Sequence, residues 1–210
     1  FTSWRGVSFG QRGKLMRKAG EVLRRRAGEL SVLMTMEMGK PIASSEQEIE
    51  KCAVACEYFA DHAESLLEAR GVKSDGAEAF VRYDPLGPIL AVMPWNFPFW
   101  QVFRFAAPNL MAGNVGLLKH AENVNGCALA IESVFTAAGF PEGVFQALLT
   151  SGPRASGMID RRQIAAVTLT GSTRAGRSVA AADGQKLKKT VVELGGSDPI
   201  IVLAGVGNEA

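Results

Sequence analysis

The residues best suited to chemistry stand where apolar runs end. Glu193 closes the run "VVEL" and is followed by Gly195 and Gly196. A carboxylate at the carboxyl end of a core strand is placed to act as a general base beside a substrate; the plainer alternative is a carboxylate satisfied by neighbouring backbone N–H groups. Asn96 sits in "MPWNFPFWQVFRF" between Pro94 and Pro98. The prolines stiffen the loop, and the amide can donate to a developing oxyanion. Arg104 follows among Trp100, Phe103 and Phe105, where a guanidinium either snorkels to water or awaits an anion. Lys119 and Glu122 in "VGLLKHAEN" fall just past a strand end and could grip a ribose diol or phosphate between them, or form a solvated loop pair. "TGSTRAG", from Thr170 to Gly176, joins a strand to a helix. Gly171 and Gly176 allow close backbone approach, and the helix N-terminus offers N–H groups to a phosphate. Its pattern is neither the usual dinucleotide fingerprint nor a P-loop, so a plain strand-to-helix turn stays open.

These positions need a scaffold. Leu15, Ala19, Val22, Leu23, Leu30 and Leu33 recur at helical spacing through a basic segment that Pro41 interrupts. Ser45 with Glu48 matches a capping box and predicts the start of a second helix that runs to about Arg70. Polar turn chemistry spans 71–76, and "AFVRY" is a short β-run ended by Asp84-Pro85. Beyond it, "PILAVM", "VGLLKH", "GVFQALL", "IAAVTLTG" and "KTVVEL" read as strands separated by helical segments. "VVELGGSDPIIVL" reads as a buried strand, a glycine turn and a second strand. Strands alternating with helices predict an α/β, doubly wound parallel sheet with ligands bound beyond the carboxyl ends of its strands.

Composition narrows the function classes. Hydrophobic residues make up 47% and charged residues 21%, and 23 basic against 21 acidic side chains leave a net charge of +2. That balance gives no electrostatic case for nucleic acid. No apolar stretch reaches the roughly 18 residues of a membrane span, and the start has no secretory pattern, so a soluble, cytoplasmic protein with no membrane or nucleic-acid partner is expected. Cys52, Cys56 and Cys127 are an odd number within helical patterns, which favours core packing over disulfides. With His62 and His120 isolated, no metal is expected.

Taken together, "PWNFP", Lys119 with Glu122, "TGSTRAG" and "ELGGSDP", in this order, resemble the aldehyde dehydrogenase superfamily over essentially the whole chain. The resemblance implies a Rossmann-like cofactor domain over residues 1–66 and 84–193, a β-hairpin oligomerisation arm over 67–83, and the entry to a catalytic domain over 194–210. It implies NAD-linked oxidation of an aldehyde through a cysteine thioester. Asn96 becomes the oxyanion donor, and Glu193 the base that activates the hydrolytic water. Lys119 and Glu122 become the holders of the adenosine ribose, while Trp95, Gly171, Ser172, Gly176 and Leu194 line the dinucleotide path. A glutamate at 122 should repel a 2′-phosphate, so NAD is expected over NADP, with NADP possible. His120 stands where many family members have proline. The strongest likeness is to bacterial succinate-semialdehyde dehydrogenases, in which an arginine at the place of Arg104 contacts the substrate carboxylate. That implies an ω-oxo acid substrate, and the family as a whole implies a homodimer or tetramer at full length. The family's nucleophile lies in a Gly-Gln-x-Cys setting beyond the general base, and none of the three cysteines has that setting. The expectation is therefore a partial chain that is inactive alone. The alternatives are a non-catalytic NAD-binding remnant and a partner of full-length subunits.

Overall fold

The computed structural model describes residues 1–199 and 201. The hydroxyl of Ser8 accepts from the Gln11 N–H (3.3 Å) and opens α1 (Phe9–Arg25). The basic amphipathic segment is two helices rather than one. The backbone leaves helical geometry at Arg26, and α2 (Ala27–Met38) ends on Gly39 at φ +78°, a conformation glycine adopts without a Cβ penalty. The helix α3 (Ile42–Leu66) begins directly after Pro41, so Ser45 and Glu48 are not its capping box. Both are buried one turn or more inside it, and the Glu48 carboxylate caps a different helix, as described below. Helices α1 and α3 pack antiparallel at close range through glycines, since a Cβ on Gly13 or Gly20 would lie 3.1 or 3.2 Å from the carbonyl oxygen of Ala60 or Ala53.

A small antiparallel ribbon follows, β1 (Arg70–Gly71) with β2 (Phe80–Val81), extended by a 2.8 Å bond from Val72 N–H to the Ala79 carbonyl. Pairing thus enters the segment whose composition suggested only a turn. Phe80, Val81 and Tyr83 are exposed on it.

The main sheet is built from β3 (Pro88–Met93), α4 (Trp100–Met111), β4 (Val115–His120), α5 (Asn125–Ala137), β5 (Phe145–Ala147), α6 (Gly152–Ile159), β6 (Ala166–Gly171), α7 (Thr173–Gln185) and β7 (Lys189–Leu194). All its pairings are parallel, in the order β5-β4-β3-β6-β7. Strand alternation divides the core between the two faces. Ile89, Ala91 and Met93 of β3 join the larger cluster with α1, α3, α4 and α5. Leu90 and Val92 join a smaller one with Ile159, Leu169 and Val179, from α6, β6 and α7. The doubly wound parallel sheet is therefore present.

The reading of "VVEL" as a buried strand is corrected. Among the described residues β7 pairs only with β6, and Val191 is 65% exposed. An apolar run alone does not distinguish an edge strand from a central one. Its expected sequel, a second strand through Ile200 to Leu203, lies almost entirely outside the described residues. Among the described residues no helix is long and apolar enough to cross a membrane.

Candidate active site

The chain runs outward from β3 through β4 to β5, then returns to lay β6 on the other side of β3. In such sheets the crevice at the carboxyl ends of the two diverging strands is where ligands sit. Here that crevice lies between the loop after β3, which carries Trp95 and Asn96, and the start of α7 after Gly171. A cavity of about 380 Å³ opens there, lined by Trp95, Asn96, Gly171, Ser172, Glu193 and Leu194, with Gln101 and Thr170. The structure thus brings six of the residues singled out in the sequence into one place.

The Asn96 loop is held from below. The Glu48 Oε1 accepts from the Phe99 and Trp100 N–H groups, both at 2.9 Å, and so caps α4 from a distant helix. Glu48 is also ion-paired with Lys40, whose ammonium lies 3.7 Å from the Phe97 ring centroid. Their side chains are only 2% and 9% exposed. From the other side, buried His120 accepts from the Ala121 N–H at Nδ1 (3.0 Å) and donates from Nε2 to the Pro98 carbonyl (2.9 Å). Burial holds the His120 pKa below its usual range, which keeps the ring neutral in that role. Within the loop, the Asn96 Oδ1 accepts from the Phe97 N–H (3.1 Å), and the donor end of the amide has no protein partner among the described residues.

Glu193 and Arg104, read separately in the sequence, meet. Glu193 is register-paired with Thr170 across β6 and β7, and Arg104 reaches both from α4. The Arg104 Nη1 donates to Glu193 Oε1 (2.8 Å), its Nη2 pairs with Glu193 Oε2, and Nη2 also meets Thr170 Oγ1 (3.2 Å). A second cavity of about 310 Å³ lies on this α4 face, lined by Arg104, Glu193, Gln101, Lys189 and apolar side chains that include Ile89, Met93 and Phe105.

Lys119 lies on the opposite face of the sheet. It is inside β4 rather than past its end, is buried, and lines an apolar cleft of about 620 Å³ between α6 and α7 with Leu90, Val92, Ser156 and Arg174. Glu122 is exposed on the 3-10 turn Glu122–Val124 and is not among the residues lining that cleft.

The Ser172 hydroxyl caps α7 by accepting from the Ala175 N–H (3.3 Å). Gly176 makes room for the residue beside Glu193, since a Cβ there would overlap a methyl of Leu194. At Gly171 an added Cβ meets only ordinary contact, 3.7 Å from Leu169. Cys52, Cys56 and Cys127 are free and buried, and burial raises all three thiol pKa values; none lines the cavities beside Glu193.

Sequence reasoning missed Glu48, Gln101, Thr170 and Arg174. Gln101 falls one helical turn from Arg104 and Thr170 two strand positions from Thr168, spacings that put each pair on a common face; for Glu48 the sequence carries only a misleading local match.

The aldehyde dehydrogenase family model matches residues 1–209. A probable succinate-semialdehyde dehydrogenase [NADP(+)] of Synechocystis sp. is 58% identical over 97% of this chain and 45% of that protein. Succinate-semialdehyde dehydrogenase [NADP(+)] 1 of Mycobacterium tuberculosis is 48% identical over 100% of the chain and 47% of its own length. The crystal structure of succinic semialdehyde dehydrogenase from Streptococcus pyogenes with NADP+ superposes with a TM-score of 0.92 at 35% identity, covering 97% of this chain and 45% of that one. The chain thus spans just under half the length of these relatives. The four motifs, the parallel sheet that brings them to one crevice and the match across nearly every residue carry one conclusion: the chain belongs to the aldehyde dehydrogenase family.

Proposed function

We propose that this chain forms the cofactor-binding and base-bearing part of an enzyme that oxidises a carboxylate-bearing aldehyde, such as succinate semialdehyde, with a nicotinamide dinucleotide. The observation that carries the reading is the crevice in which an amide donor, Asn96, and a carboxylate, Glu193, line one cavity at the carboxyl ends of the sheet.

The residues present fit a dinucleotide. The apolar cleft beside Lys119 suits an adenine ring, and the capped N-terminus of α7 and Gly171 lie on the way from that face to the cavity at Asn96. When bound, the cofactor supplies a hydride acceptor. The Asn96 amide donates to the substrate oxygen as it gains negative charge. Glu193 takes a proton from the water that attacks the thioester carbonyl, and the thiolate departs. The thiol comes from sequence outside these 210 residues, since all three cysteines are buried away from Glu193. Arg104 takes the substrate carboxylate in the α4-side cavity.

Which nucleotide is preferred turns on Glu122. The argument from its charge favours NAD. Its exposure, the presence of Lys119 and Arg174 in a cleft without a lining carboxylate, and the relatives named for NADP(+) favour NADP, which we take as the first candidate. Calorimetric titration of both nucleotides into the wild type and Glu122→Ser decides it. Tighter NAD binding that reverses in Glu122→Ser would restore the charge argument, and binding of neither would remove the cofactor reading. Initial rates of the longer protein that joins this chain to its nucleophile, with succinate semialdehyde and with butanal, then test the substrate, with Arg104→Ala expected to raise KM for the acid far more than for butanal. Cofactor binding by that longer protein without turnover of any aldehyde would favour a second reading, a non-catalytic nucleotide-binding protein, which the burial of all three cysteines supports. The ribbon of β1 and β2, with exposed Phe80 and Val81, is the proposed oligomerisation arm of residues 67–83.

A further inference from the structure

The roles assigned to Arg104 and Glu193 conflict as long as both are occupied at once. A guanidinium can grip a carboxylate with two parallel N–H groups either end-on, through Nη1 and Nη2, or side-on, through Nε and one Nη, and Arg24 uses both edges, on Glu57 and Glu50. In Arg104 the side-on edge already gives its Nη2 to the Thr170 hydroxyl, and the end-on fork is taken: Nη1 and Nη2 bind the two carboxylate oxygens of Glu193. A substrate carboxylate that uses the same fork must displace Glu193.

The surroundings favour such an exchange. Arg104 and Glu193 are 37% and 53% exposed, and an ion pair this open to water is weak enough for a competing carboxylate to break. Arg104 does not lose its place when Glu193 leaves, because Nη2 keeps the Thr170 hydroxyl. The α4-side cavity holds a second cation, Lys189, against Glu193 alone among acidic lining residues, and its walls of Ile89, Met93 and Phe105 suit a short alkyl chain. Glu193 lines both this cavity and the one that holds Asn96, whereas Arg104 lines only the first. A released Glu193 therefore has somewhere to go, toward the oxyanion donor.

We propose that Arg104 latches Glu193 and that the substrate's own carboxylate releases it, so that the base becomes free only when an acid-bearing aldehyde is in place. This rests on the proposed roles of the two residues and adds that they are mutually exclusive. An aldehyde without a carboxylate then meets a base that is still held, and discrimination appears in kcat as well as in KM. Arg104 is in this respect a positioning residue for the base.

The test supplies the missing carboxylate separately. In the longer protein that joins this chain to its nucleophile, with propanal as substrate and cofactor in excess, added acetate should raise kcat of the wild type on the order of tenfold, part of the 10²–10⁴-fold that a positioned base contributes. In Arg104→Gln the propanal kcat should rise by a similar factor without acetate and should not respond to it. Acetate that leaves the wild-type kcat unchanged or lowers it overturns the latch, as does an Arg104→Gln variant whose propanal kcat does not rise. The underlying reading fails differently: an unchanged KM for succinate semialdehyde in Arg104→Gln would remove Arg104 from substrate binding. A readout independent of turnover is the ¹³C signal of the Glu193 carboxyl carbon, assigned by its loss in Glu193→Gln. Butanoate should shift that signal in the wild type and not in Arg104→Gln, and no shift at high millimolar butanoate overturns the proposal.

Discussion

Replacing Glu48 by alanine should undo the support beneath the Asn96 loop. The carboxylate is 2% exposed, accepts two backbone N–H bonds at the start of α4 and neutralises Lys40, itself 9% exposed. Removing one partner of a buried ion pair costs about 3–5 kcal/mol, largely because the other charge is left uncompensated. Two orphaned donors at a helix N-terminus add to that loss. For Glu48→Ala we expect about 4 kcal/mol, a large part of the roughly 5–15 kcal/mol that holds a domain together. At a urea dependence of about 2 kcal/mol per M, the unfolding midpoint falls by about 2 M. Glu48→Gln keeps an oxygen for the Phe99 and Trp100 amides and should lose about half as much. Glu48→Gln combined with Lys40→Met removes the stranded charge and should recover to within about 1 kcal/mol of the wild type. Urea titration followed by tryptophan fluorescence reads the effect, since Trp95 and Trp100 flank the supported segment. A shift below about 0.5 M for Glu48→Ala, or a double variant no better than Glu48→Gln, would refute the account.

The two glycines of the β6–α7 turn should respond in opposite ways. Gly176→Ala drives its Cβ into Leu194 and should cost about 1–3 kcal/mol in unfolding experiments. Gly171→Ala meets no close neighbour and should leave the midpoint in place while weakening dinucleotide binding by calorimetry. Because burial raises the pKa of Cys52, Cys56 and Cys127, none should react with iodoacetamide in the native protein and all three should in urea; native labelling with loss of activity would locate a nucleophile inside this chain. The depressed pKa of buried His120 means that the unfolded chain binds its proton first, so stability falls as pH drops below about 6.5 and levels off once the folded state is also protonated. The urea midpoint should decline over that window in the wild type and less in His120→Gln, and equal slopes would remove His120 as the cause.

Local pattern was enough for much of this protein. The alternation of apolar runs with helical segments specified the parallel sheet, because strands buried on both faces need continuous apolar sequence and their crossovers need helices. Loop composition singled out Asn96, Glu193 and the turn from Gly171 to Gly176, because glycines, prolines and polar residues interrupt apolar runs where the chain leaves the core, whereas Trp95 and Ser172 entered only through the family resemblance. Side-chain partnerships were decided elsewhere. Ser45 and Glu48 have the spacing of a local cap, yet the carboxylate serves α4, some fifty residues away in sequence. "VVEL" has the composition of a central strand and, among the described residues, pairs on one side only. Lys119 and Glu122 are near neighbours in sequence, and strand alternation with the turn that follows sends only the lysine into the cleft. Arg104 and Glu193 are 89 positions apart and form one ion pair. Spacing along a chain determines which face of its own element a side chain takes; what stands opposite that face depends on how elements distant in sequence pack, and that is settled only when the sheet is assembled.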